Sequence, residues 1–143
     1  MLTKTHNELL ECLKDAGMRI TPQRVAICQA LANAHDHPSA SQLYEKLKGQ
    51  YPSLSLATVY NTMAALVSQG KVNILGDAGD GRVHFDAFVS PHINLACLNC
   101  HQIIDIDSEL VPRMSAEVET TSGYQIKGSR VIYYGICPAC QQG

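Results

Sequence analysis

No stretch of the chain approaches the roughly 18 consecutive apolar residues that a membrane-spanning helix requires. Residues Met1 to Asp15 lack the cationic start and apolar block of a secretory signal. No membrane association is expected, and a cytoplasmic location is. Net charge is scarce too: −2 overall, which gives the whole chain no attraction to nucleic acid. Length is short. The 143 residues make one domain or two small ones. Two small domains would each be poor in core, so a metal staple or a partner chain is expected to help.

The charge that is present is unevenly placed. Residues 1 to 75 carry seven Lys/Arg against five Asp/Glu (+2), and residues 76 to 143 carry four against eight (−4). A nucleic-acid surface, if there is one, belongs to the first half. Side chains that bind metals concentrate between Arg82 and Asp105: His84, Asp86, His92, Asn94, Cys97, Cys100, His101 and Asp105. Cys97-Leu98-Asn99-Cys100 is a CxxC knuckle, and Cys137-Pro138-Ala139-Cys140 repeats it near the C-terminus.

The first half reads as helices followed by a hairpin. Thr5 to Asp15 has apolar Leu9, Leu10, Cys12 and Leu13 at near-helical spacing and ends at Gly17. Thr21-Pro22 opens a second helix with a capping hydroxyl and a proline at the first helical position. Its inward residues are Val25, Ile27, Cys28 and Leu31. Ser39 with Gln42 resembles a capping box, opening a third helix with Leu43, Tyr44 and Leu47 inward. Ser55 caps a fourth, Leu56 to Gln69, whose stripe is Val59, Met63, Leu66 and Val67. Lys71 to Leu75 and Arg82 to Phe85 then read as strands joined by the glycine-rich loop Gly76 to Gly81.

That order is the winged helix-turn-helix pattern, in which the last helix enters the major groove of double-stranded DNA. Ser55, Thr58, Tyr60, Asn61 and Thr62 are its polar or amphipathic residues free to face the bases, while Arg19 and Arg24 are placed to hold phosphates. Periodicity alone leaves open a helical domain that binds no nucleic acid, because the basic excess is small.

The two CxxC pairs, 36 residues apart (101 to 136), offer four thiolates for a closed tetrahedral Zn²⁺ site. Gln102 to Ile106 and Val131 to Ile136 read as strands that lie side by side and bring the pairs together, with a helix from Glu109 to Thr121 between them. Cys12 and Cys28 lie on helix core faces and read as small apolar residues. His6, His35 and His101 read as ordinary polar residues. His37, Asp86, His92 and Asp105 are candidates for a second site. Two imidazoles and two carboxylates suit Fe²⁺, Mn²⁺ or Zn²⁺. The alternative is a set of surface polar residues on a hairpin.

Gly17-Met-Arg-Ile-Thr-Pro-Gln-Arg24, His37-Pro38, Ser55-Leu-Ala-Thr-Val-Tyr-Asn61, Arg82 with Phe85-Asp86, His92 with Cys97 and Cys100, and the terminal CxxC together resemble the ferric uptake regulator family of bacterial metal-dependent repressors, over nearly the whole length. The resemblance implies an α+β chain: a winged helix-turn-helix DNA-binding domain over 1–84 and a small α/β dimerisation and metal-binding domain over 85–143. It implies a homodimer that reads an inverted repeat, structural Zn²⁺ on Cys97, Cys100, Cys137 and Cys140, and a regulatory ion on His37, Asp86, His92, Asn94 and Asp105. Asp105 and the Ala-Thr-Val-Tyr-Asn helix are similar to the peroxide-stress branch, in which a ligand histidine, here His37 or His92, is oxidised when the Fe²⁺ form meets peroxide. Pro91 and Ile93 imply that the second regulatory site of the uptake branches is absent.

The family pattern is His-x-His at 92 and 94, and Asn94 departs from it. An amide oxygen is a weaker, harder donor than imidazole, so looser binding and a tilt from Zn²⁺ toward Mn²⁺ are expected. His84 or His101 is the alternative donor. The competing functions are an iron- or other metal-uptake repressor, a non-haem iron enzyme and a zinc-ribbon interaction module. No catalytic residues are expected.

Overall fold

Short capping signals set the boundaries of the helices in the computed structural model, which describes residues 6–34, 36–76, 79–87, 92–126 and 129–142. Thr5, His35, Pro91 and the loop positions 77 and 78 lie outside the described residues. Helix α1, His6–Asp15, closes at Gly17, whose φ of +77° is left-handed. There Gly17 N–H bonds Lys14 O at 2.9 Å and Met18 N–H bonds Leu13 O at 2.9 Å, a Schellman closure that a side chain at 17 would strain. Helix α2, Pro22–Ala32, starts where Thr21 Oγ1 accepts from Arg24 N–H at 3.2 Å.

Helix α3, Ala40–Leu47, carries the full capping box. Ser39 Oγ accepts from Gln42 N–H at 3.2 Å, and Gln42 Oε1 accepts from Ser39 N–H at 2.8 Å. Helix α4, Leu56–Ser68, is capped by Ser55, whose Oγ accepts from Thr58 N–H at 3.1 Å. Each such cap contributes about 1 kcal/mol.

Among the described residues, 6–34, 36–76 and 82–87 form one compact unit, and 79–81, 92–126 and 129–142 form a second. The first unit has a continuous core. Leu9, Leu13, Ile27, Leu43, Val59, Met63 and Leu66 have essentially no exposure, and Phe85 joins them from the hairpin. Burying each of the large aliphatic side chains is worth about 1.5–3 kcal/mol. The hairpin pairs β1, Asn73–Leu75, with β2, His84–Asp86, antiparallel, in the register Asn73↔Asp86, Ile74↔Phe85 and Leu75↔His84. Helices followed by this hairpin form the expected winged helix. The strands are shorter than expected: residues 71, 72, 82 and 83 stay outside the ladder, and β2 runs one residue further, to Asp86.

The second unit differs from expectation in its strand order. Strand β3, Ile93–Cys97, is central. Strand β4, Ile103–Ile106, is antiparallel to it on one side, and β5, Val131–Gly135, is parallel on the other. The strands carrying the two expected apolar runs are therefore not neighbours. Residues 93–97 show the alternation of a strand, with Asn94 and Ala96 buried and Ile93 and Leu95 half-buried. Helix α5, Leu110–Ser122, supplies the crossover between β4 and β5 and ends at left-handed Gly123, φ +75°. A one-turn helix α6, Pro138–Gln141, follows. Few apolar residues are buried here, chiefly Ala96, Cys97, Ile103 and Val111, so this unit depends on something other than its core.

Candidate metal centres and nucleic-acid face

The four cysteines of the second unit converge because β3 and β5 run side by side. Cys97 ends β3, and Cys137 caps α6 just beyond β5. The first knuckle is tied by Cys97 N–H to Gln102 O at 2.9 Å, by His101 N–H to Cys97 O at 2.9 Å, and by Leu98 N–H to Gly135 O at 2.8 Å. His101 takes a left-handed φ of +66° to close that turn. The sulfurs of Cys97, Cys100, Cys137 and Cys140 all lie within 4.8 Å of one another, and Cys100 Sγ is 3.9 Å from Cys137 Sγ. Around a tetrahedral zinc with Zn–S of about 2.3 Å, sulfurs stand roughly 3.8 Å apart. The donor set fits Zn²⁺.

The thiols are not equivalent. The Cys100 N–H and then the Cys137 N–H point at the Cys97 sulfur, the latter at 3.3 Å, and pull the Cys97 thiol down to about 6. Asn99 lowers the pKa of Cys140, but hydrogen bonding to Cys137, burial and the other two thiols outweigh it and push Cys140 up to about 11. Zinc binds thiolates, so an arriving dication displaces the protons that remain on the set. Cys12 and Cys28 stand apart as buried thiols in the helical core, and burial followed by the nearby Cys12 pushes Cys28 up to about 12.

The remaining expected ligands fall into two groups, one in each unit. In the first unit, His37 Nδ1 lies 3.4 Å from Asp86 Oδ1, both side chains being almost wholly buried. His37 has φ +51° and precedes Pro38. Left-handed backbone costs a non-glycine residue about 1–2 kcal/mol, and a following proline favours extended backbone instead. Contacts from β2 hold this segment: Phe85 N–H donates to Pro38 O at 3.1 Å, Ser39 bridges His84, and His84 Nδ1 donates to His37 O at 2.6 Å.

In the second unit, His92 Nε2 lies 3.2 Å from Asn94 Oδ1 and 3.3 Å from Asp105 Oδ1. Asn94 and Asp105 are direct register partners across β3 and β4. Asn94 is 2 % exposed, and its Nδ2 donates to Val131 O on β5 at 3.1 Å, so its oxygen is the atom turned toward His92. Adjacent ligands of an octahedral ion at about 2.1 Å lie roughly 3 Å apart. The two nitrogen–oxygen spacings from His92 each match one such edge.

On α4, Tyr60 is 51 % exposed and Asn61 is exposed, with Ala57 and Ala64 exposed beside them. Ser55 Oγ is committed to its cap and lies 2.9 Å from Thr58 Oγ1. Thr62 corrects the sequence reading. It is fully buried and its Oγ1 donates to Thr58 O at 2.7 Å, because it falls on the same inner stripe as Val59 and Met63. Arg19 is exposed, and Arg24 Nη1 donates to Arg19 O at 2.6 Å, which fixes both near the start of α2. Sequence reasoning missed the roles of the His84 ring and the Val131 carbonyl. The i,i+2 spacing of His84 and Asp86 was a signal for the first; the second needed the strand order.

The ferric uptake regulator family model matches residues 15–134. The peroxide operon regulator of Bacillus subtilis is 36% identical over 135 residues, covering 94% of this chain and 92% of that protein. The Campylobacter jejuni peroxide stress regulator superposes with a TM-score of 0.73 at 27% identity, covering 96% of this chain and 99% of that one. The Helicobacter pylori ferric uptake regulator, described with three functional metal-binding sites, superposes with a TM-score of 0.81 at 20% identity over 100% and 99% of the chains, a likeness of fold. The chain belongs to the ferric uptake regulator family, on the side of its peroxide-responsive regulators.

Proposed function

We propose that this protein is a metal-dependent transcriptional repressor that binds an inverted-repeat operator as a homodimer and lets go when peroxide oxidises a histidine of its regulatory site. The helical unit with its whole hairpin, and not residues 1–84 alone, is read as the DNA-binding domain, and the sheet unit as the dimerisation and metal-binding domain, because Phe85 packs with the helices and Asp86 belongs to the same unit. The protein acts in the cytoplasm as a regulator and not as an enzyme. No helix among the described residues is long and apolar enough to cross a membrane. The kinship with regulators named for peroxide supports the signal.

One observation carries the reading. Each unit holds nitrogen and oxygen donors, buried except for the half-buried Asp105, at spacings that suit the same kind of ion: His37 with Asp86 in one, and His92 with Asn94 and Asp105 in the other. In this reading a single Fe²⁺ or Mn²⁺ takes both groups as ligands, and the four cysteines hold a separate structural Zn²⁺. Filling this site favours the dimer whose two α4 helices match their half-sites. Coupling of about 1–3 kcal/mol per site, twice per dimer, shifts operator affinity on the order of tens- to ten-thousand-fold.

Bound Fe²⁺ supplies the one-electron chemistry toward hydrogen peroxide that Mn²⁺ does not. His37 and His92 are the imidazoles that would take up an oxygen atom, and an oxidised ring no longer holds its place beside Asp86 or Asp105. The dimer is supported by a row on α5 that the chain leaves uncovered, Leu110, Met114 and Val118, with Tyr133 and Tyr134 exposed on β5.

The test is operator binding by the zinc-loaded chain. Binding is expected with either Fe²⁺ or Mn²⁺, peroxide is expected to abolish it only with Fe²⁺, and mass spectrometry should then find one added oxygen on the His37 or His92 peptide. Peroxide-resistant binding with Fe²⁺ and unmodified peptides would instead favour a repressor that responds to metal supply.

A further inference from the structure

His84 stands outside the donor set, yet the structure gives it a specific task within the first unit. It is 1 % exposed and lies on β2 two residues before Asp86, so both side chains leave the same face of the strand. Its Nδ1 is 2.6 Å from the main-chain oxygen of His37. A carbonyl oxygen only accepts, so the proton in that bond belongs to Nδ1. The two neighbouring ties run through backbone and would survive most substitutions: Phe85 N–H to Pro38 O at 3.1 Å, and the Ser39–His84 bridge. The tie to His37 itself depends on the side chain at 84.

His37 needs that tie because of its backbone. Its φ of +51° is left-handed, and it stands directly before Pro38. Both facts pull a non-glycine residue back toward extended backbone. A relaxed His37 would turn its imidazole away from Asp86, whose Oδ1 now lies 3.4 Å from Nδ1.

The geometry points to His84 as a positioning residue of the regulatory ion site: through Nδ1–H it locks the His37 carbonyl and so presets the His37 imidazole beside Asp86 before an ion arrives. This rests on the reading of His37 and Asp86 as ligands given above.

The test is a titration of the full-length, zinc-loaded chain with Mn²⁺, followed by the loss of the free-ion signal in electron paramagnetic resonance. His84→Leu removes the donor, His84→Asn keeps an N–H where Nδ1 was, and His84→Gln moves it outward to where Nε2 was. The expected result is Mn²⁺ affinity about tenfold lower for Leu and Gln, as for loss of one hydrogen bond, with Asn close to the unsubstituted chain. Should Leu fail to fold, the contrast between Asn and Gln carries the same information. Affinity unchanged in every variant, or Asn as weak as Gln, overturns the inference. His37→Ala serves as the control: if it binds Mn²⁺ as tightly as the parent, His37 is no ligand and the reading beneath the inference fails as well.

Discussion

The side-chain amide of Asn94 on β3 donates to the main-chain oxygen of Val131 on β5 at 3.1 Å, which leaves its Oδ1 3.2 Å from His92 Nε2. A buried amide held this way cannot turn its nitrogen inward without leaving a carbonyl unpaired, at a cost of about 1–3 kcal/mol. The residue that breaks the family's His-x-His pattern is thereby aimed as an oxygen donor.

Substitutions at 94 should therefore move metal preference more than fold. Asn94→His is expected to raise affinity for Zn²⁺ relative to Mn²⁺, because an imidazole replaces a neutral amide oxygen. Asn94→Ala should weaken Mn²⁺ about tenfold. Isothermal titration with both ions checks this, and an unchanged affinity for both variants would remove Asn94 from the ligands.

Losing a zinc thiolate should unfold the second unit. Its buried apolar residues are few, and Cys137 offers a sulfur at the start of α6 beside Cys97. Structural zinc in small domains contributes on the order of 10 kcal/mol. Cys137→Ser is expected to lose the zinc and the near-ultraviolet dichroism of Tyr133 and Tyr134. The helical unit, with its own core, should keep its far-ultraviolet signal. Intact tyrosine dichroism in a zinc-free variant would contradict this.

At high pH the weak point in the helical unit is Cys28. An unfolded thiol titrates near 9.0, and burial with the nearby Cys12 raises the folded value to about 12. A raised folded pKa means that the stabilising contribution is complete below about pH 9 and is lost as pH climbs toward 12. The melting temperature should fall over that interval, and less steeply in Cys28→Ala. Native Cys28 should also resist iodoacetamide until the chain unfolds. Parallel alkaline limbs for the two proteins would refute the assignment.

In the proposed reading Tyr60 and Asn61, both exposed on α4, reach the bases. Truncating either to alanine is expected to cost about 1–3 kcal/mol of operator affinity with little change in salt dependence, whereas Arg19→Ala should flatten the salt slope. Thr62→Val should leave DNA binding unchanged, because its hydroxyl bonds the Thr58 carbonyl inside the fold. Electrophoretic shifts across a salt series separate these outcomes.

How much of this was legible before the structure depends on how local the cause is. Thr21, Ser39 with Gln42, Ser55 and Gly17 act within four residues of themselves, and each marked its helix end correctly. Both knuckles were equally plain, since CxxC spacing is itself local. Strand order is not local. Nothing in Ile93–Cys97 says that it lies between β4 and β5, so the carbonyl of Val131 could not be foreseen as the partner of Asn94. Thr62 went astray for a smaller reason: a threonine on an inner stripe satisfies its hydroxyl on its own helix and buries its methyl, which residue type alone does not reveal.

The central proposal is that one ion, with His37, Asp86, His92, Asn94 and Asp105 as its ligands, sets operator affinity. The most direct measurement is fluorescence anisotropy on a labelled inverted repeat, with the cysteine-bound zinc retained and the regulatory ion removed by a mild chelator and then restored as Mn²⁺. The account predicts affinity lower by about tens- to ten-thousand-fold without the ion and full recovery with it, in the parent chain but not in His37→Ala. Equal affinity with and without the ion, at constant zinc content, would contradict it.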